Sequence, residues 1–200
     1  MKIVLVICGL LLSMDKTFAY GIGQSTHPLS MKKRIIATEF TGVISNGAGV
    51  GLQGRYTQRL DEKIKLDAGI GIAGGDRSSR LFAGLDYELF PDYMKQPRVS
   101  LKFNFETASE FDNRVTTLSL APTASKGYNF WGKEGYPFVA IPIGVALNAG
   151  TGMYETMMGI TGGWTGAVPL EGYEHLTASV ELNLGVKDTY TGVFLGIAYP

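Results

Sequence analysis

Lys63-Ile64-Lys65-Leu66-Asp67-Ala68-Gly69-Ile70-Gly71-Ile72-Ala73 alternates with a period of two. On an extended strand Ile64, Leu66, Ala68, Ile70 and Ile72 share one face, and Lys63, Lys65, Asp67, Gly69 and Gly71 share the other. A strand with one apolar and one polar side belongs where hydrocarbon meets something polar. Two closed sheets satisfy that condition: a soluble barrel turns the apolar side inward, and a membrane barrel turns it outward.

The same alternation recurs on both sides of this stretch. Upstream, Ile36, Thr38, Phe40, Gly42 and Ile44 alternate with Ala37, Glu39, Thr41 and Val43, and Val50, Leu52, Gly54 and Tyr56 oppose Gly51, Gln53, Arg55 and Thr57. Downstream, Leu81, Ala83, Leu85, Tyr87 and Leu89 oppose Arg80, Gly84, Asp86 and Glu88, with Phe82 standing on the polar side. Val99, Leu101, Phe103 and Phe105 give the cleanest amphipathic strand, followed by Thr116, Leu118 and Leu120. A seventh strand covers 138–147 despite Pro142, which removes a ladder donor. Strands around Tyr154–Trp164, Leu176–Val186 and Val193–Tyr199 complete the set. The pattern predicts an all-β chain: a single antiparallel up-and-down barrel of about ten strands, with eight possible, each about 10 to 12 residues long and able to cross a bilayer when tilted. By that count the longer connections, 126–136 and 165–175, fall at the end that carries the C-terminus.

Composition narrows the partners. The 200 residues carry 18 basic and 18 acidic side chains, so the chain lacks the basic surface that nucleic acid requires. Lys2, the apolar run Ile3–Leu12 and the small residues Thr17 and Ala19 predict a signal peptide over 1–19, leaving 20–200 as the barrel domain. About ten apolar residues are too few to span a bilayer as a helix. The single cysteine, Cys8, lies in that leader, so the exported chain would hold no thiol for a disulfide, a nucleophile or a zinc site.

A signal peptide, an even set of amphipathic strands and a last strand that is apolar at every second position up to Tyr199 together resemble small bacterial outer-membrane β-barrel proteins. The resemblance covers the whole exported chain and rests on architecture rather than on a catalytic motif. It implies a transmembrane barrel in the bacterial outer membrane, in contact with outer-membrane lipid. Pro200 follows Tyr199, where that family usually ends on the aromatic itself. An interfacial aromatic girdle is expected near the C-terminal level, from Tyr56, Tyr87, Trp131, Tyr136, Trp164 and Tyr199.

The polar faces hold a constellation of charge. Closing the short turns in register sets Arg55 opposite Asp67, Lys65 opposite Glu88 and Asp86 opposite Lys102, with Asp67 also facing Asp86. These six residues are expected to form a charge ladder that fills the lumen, because an eight-strand barrel is just filled by side chains and ten strands add little room. No catalytic residues, metal ligands or cofactor are expected. His27 and His175 fall in irregular stretches, and Gly69-Ile70-Gly71 and Gly159-Ile160-Thr161-Gly162 precede no helix start. The expected function is non-enzymatic, a structural envelope component or a narrow passive pore. The alternative is an exported soluble barrel of lipocalin or fatty-acid-binding type, with Ile64, Leu66, Ile70, Val180, Leu182 and Leu184 turned inward around an apolar ligand.

Overall fold

A computed structural model describes residues 26–31, 33–45, 49–74, 77–110, 113–130 and 132–199. The predicted signal peptide and Cys8 lie outside the described residues. The strands are β1 (Arg34–Val43), β2 (Gly49–Arg59), β3 (Ile64–Ala73), β4 (Arg77–Phe90), β5 (Arg98–Glu110), β6 (Asn113–Ser125), β7 (Tyr128–Phe130), β8 (Lys133–Ala140), β9 (Ile143–Asn148), β10 (Tyr154–Ala167), β11 (Thr177–Lys187) and β12 (Gly192–Tyr199). Each pairs antiparallel with its neighbours, and β1 closes on β12 from Ile36 opposite Tyr199 to Val43 opposite Gly192. The barrel is all-β, up-and-down, and has ten strands.

Ten strands arise from twelve segments for two local reasons. β7 is a short arm that pairs with the start of β8, from Tyr128 opposite Gly135 to Phe130 opposite Lys133. β8 and β9 are halves of one strand, interrupted where Pro142 has no amide hydrogen to donate. The interruption causes no slip, since Ile141 N–H still donates to Pro122 O (3.1 Å) and the Pro142 carbonyl still accepts from Gly159 N–H (2.9 Å). The connections 60–63, 91–97, 126–132 and 168–176 lie at the end where β1 begins and β12 finishes, called here the terminal end. The distal end carries the connections from β1 to β2, β3 to β4, β5 to β6, β9 to β10 and β11 to β12.

The facing of the wall separates the two barrels that the sequence allowed. Ile70 and Ile72 are 67% and 68% exposed, whereas Lys65 and Asp67 of the same strand are each 5% exposed and Lys102 is 0%. Phe40, Leu52, Phe103, Leu118, Val145, Val180, Leu182 and Leu195 also stand on the outside. The barrel is therefore apolar outside and polar inside. The soluble alternative requires the reverse, and an apolar ligand placed inside would meet charged Arg55 and Lys102 instead of hydrocarbon. Ile64, Leu66, Ile70, Val180, Leu182 and Leu184 fall on the outer side of the wall, with Ile64 partly covered.

Candidate functional site in the barrel interior

The alternation of β1 to β5 delivers long charged side chains to the lumen at neighbouring heights. Arg55 is the hub. Its Nε and Nη2 donate to the two carboxylate oxygens of Glu39 at 2.8 and 3.1 Å, a bidentate grip, and its Nη1 donates to Asp67. Lys102 Nζ reaches the same Asp67 oxygen at 2.9 Å, and Gln53 Nε2 donates to Glu39. The result is one chain of contacts from β1 to β5 in which every member is 5% exposed or less. Buried charges persist only when paired in this way, because burying a lone one costs several kcal/mol.

Phe82 belongs to this network. The Arg55 (4.7 Å) and Arg80 (5.4 Å) guanidinium groups both lie over its ring, two cation–π contacts in the lumen. Gly69, opposite it on β3, makes the space, since a Cβ there would sit 2.3 Å from the ring. Arg80 also pairs with Glu106 (3.0 Å). Closer to the terminal end, Arg98 donates to Glu88 (2.7 Å), to Ser100 (3.1 Å) and to Asp86.

Three register expectations need correction. Arg55 stands opposite Gly69, and Asp67 stands opposite Thr57, so the Arg55–Asp67 contact is a diagonal reach along the face. Lys65 stands opposite Asp86 rather than Glu88, and its ammonium donates to the His27 carbonyl at 2.9 Å. Asp67 faces Gly84, not Asp86. Asp86 does stand opposite Lys102, with its carboxylate held by Arg98. In each corrected case the slip is two residues, which keeps every side chain on its own face. Sequence reasoning left out Glu39, Arg80, Arg98 and Glu106. The signal for Arg98 was present, since it continues the polar positions Ser100 and Lys102 by one more step of two.

The opposite wall is built differently. Thr117, Ala121 and Thr123 of β6, Ala140 of β8, Gly144 and Ala146 of β9 and Thr161, Gly163 and Thr165 of β10 face inward with short side chains, accompanied by Phe138 and Met157. Thr161 Oγ1 donates to Asn183 (2.9 Å), whose amide donates to the Tyr190 carbonyl (2.7 Å). At the terminal end the segment 26–31 lies across the mouth. Leu29 packs with Ile35, Ala37 and Ala198, Arg59 donates to its carbonyl (2.7 Å), and Thr26 meets Thr165 on β10. The His27 ring stands edge-on to Tyr136 at 5.7 Å. Burial, aided by the positive charge of Lys65, pushes its pKa down to about 4 against a weaker opposing pull from Glu134.

Among the girdle residues, Tyr56 and Tyr199 flank Ile36 in one outer row near the terminal end, and Tyr87 and Trp164 also face outward there. Tyr136 does not join them. β8 already begins at Lys133, so Tyr136 obeys strand alternation and turns toward His27 at the mouth. Trp131 lies outside the described residues.

No family model matches the sequence, and no curated protein matches it. Among solved structures the chain is similar to a barrel described as "De novo design of transmembrane beta-barrels", with 15% identity over 86% of this chain and 98% of that one, at a TM-score of 0.41. It is also similar to a KdgM porin, with 11% identity over 83% of this chain and 98% of that one, at a TM-score of 0.37.

Proposed function

We propose that the chain is exported by its leader, spans the bacterial outer membrane as a ten-strand barrel and serves there as a non-enzymatic, structural envelope component whose lumen is closed at rest. The observation that carries this reading is the lumenal chain Glu39–Arg55–Asp67–Lys102, buried at 5% exposure or less, inside a wall whose outer face is apolar. Hydrocarbon solvates such an outer face and water does not. The segment 26–31 adds a second closure at the terminal mouth. Interfacial tyrosines near that end suit a headgroup level.

The test combines gel mobility with conductance. Protein from an outer-membrane fraction should change mobility after boiling in detergent, and the unboiled form should give no steady conductance in a planar bilayer. Lys102→Met, which removes one of the two cations on Asp67, should lower the unfolding temperature or admit ion flow. Steady conductance by the unaltered protein would replace the closed reading with the narrow-pore one. Recovery of the protein in the soluble periplasmic fraction would overturn the membrane reading itself.

A further inference from the structure

The outer wall is not uniformly convex. It is hollowed into a groove of about 1040 Å³ across β4, β5, β6, β9 and β10, lined mainly by apolar side chains. Gly144 allows the pinch, because a Cβ there would lie 2.3 Å from the Leu118 carbonyl oxygen on β6. One edge of the groove follows a continuous row of register partners, from Lys187 through Met158, Ile143, Leu120 and Phe103 to Leu85. Thr156, Val145, Leu118 and Phe105 form the row beside it. Spanning β11 to β4 at about 4.8 Å per strand gives a trough roughly 24 Å long, on the scale of one lipid acyl chain.

Lys187 is the single charged residue among those lining the groove. Simple alternation along β11 would put it inside with Glu181 and Asn183. A register shift between Met158 and Gly159 instead brings Lys187 opposite Met158, exposed, with its ammonium donating to the Thr156 hydroxyl. Bulges re-aim side chains in this way. Among the described residues it has no carboxylate partner. It is also the last residue of β11, at the distal rim, whereas Phe103 lies midway along β5, so the row descends from rim to mid-wall.

We propose that this groove binds one membrane lipid with an anionic phosphate headgroup, the phosphate on Lys187 and an acyl chain laid along Met158, Leu118 and Phe105. The site deepens the membrane reading above and rests on it. A basic side chain at headgroup level contributes about 1 kcal/mol to anionic lipid binding, equivalent to about a fivefold preference.

The full exported chain, reconstituted in nanodiscs of equal phosphatidylglycerol and phosphatidylcholine and then extracted, can be read by native mass spectrometry for retained lipid. The unaltered barrel should keep phosphatidylglycerol about fivefold over phosphatidylcholine. Lys187→Gln should bring that ratio near one. Leu118→Trp, which fills the groove without altering charge, should reduce retention of both lipids. A ratio unmoved by Lys187→Gln, or no lipid retained by the unaltered barrel, overturns the site. Boiling-dependent gel mobility is read on each sample, so a protein that never shows the shift fails as a membrane barrel, whereas one that shows it without lipid retention fails on this site alone.

Discussion

β1 to β5 and β6 to β10 line one lumen with opposite habits. The first wall carries the long or bulky Arg55, Phe82 and Lys102 with the carboxylates Glu39, Asp67 and Asp86 between them, and the second carries mainly Ala, Gly, Ser and Thr beside Phe138 and Met157. The difference shows how side chains of the described wall fill a ten-strand barrel: one part of the wall extends and the other stays short. Two large walls would collide, and two small ones would leave a channel. The long wall must then bring its own counter-charges, which is why its cations and carboxylates interleave between neighbouring strands.

The long wall depends most on its hub. Arg55→Met leaves Glu39 without its bidentate partner and Asp67 with Lys102 alone, and should cost about 3–5 kcal/mol in urea unfolding from lipid vesicles. Adding Glu39→Gln should recover part of that loss. A loss near zero would mean that the long wall is wetted and the lumen open.

The short wall should respond to volume rather than to charge. Gly163→Val places a Cβ 2.4 Å from the Val180 carbonyl and 2.7 Å from the Phe138 ring, and should cost about 1–3 kcal/mol by the same measurement. Thr161→Val, which forfeits the hydroxyl bond to Asn183, should cost about 1 kcal/mol. Equal costs at Arg55 and Thr161 would erase the distinction between the walls.

The most local effect concerns the strap across the mouth. His27 has a folded pKa of about 4 against an ordinary 6.5, so the undocked segment takes up a proton first. The contribution of the neutral His27 ring to docking is full above pH 6.5 and is lost as the pH falls toward 4. Exchange protection of 26–31, corrected for intrinsic rate, should drop about tenfold at pH 5.5 relative to neutral pH. His27→Gln should weaken this dependence.

Which residues share a face was legible in the sequence, because alternation over ten or more positions leaves little freedom. Even Pro142 misled little, since the ladder on both sides keeps its register. Who pairs with whom was not legible. A slip of two residues leaves every face intact, so alternation could not tell Gly69 from Asp67 as the partner of Arg55, and only the turn at 60–63 decides it. Phe82 looked out of place on a polar face because its reason lies partly on two other strands, in Gly69 of β3 and Arg55 of β2, besides Arg80 of its own strand. The outward Lys187 follows from a bulge that no local residue pattern announces.

The most direct test of the inside-out wall uses a cysteine introduced into residues 20–200, which contain none of their own. A spin label at Ile70→Cys in the reconstituted exported protein can be compared for collision with oxygen and with a water-soluble nickel complex. Oxygen access well above nickel access is the expected result, since Ile70 should face hydrocarbon. Nickel access equal to or above that of oxygen would put Ile70 in water and contradict the account.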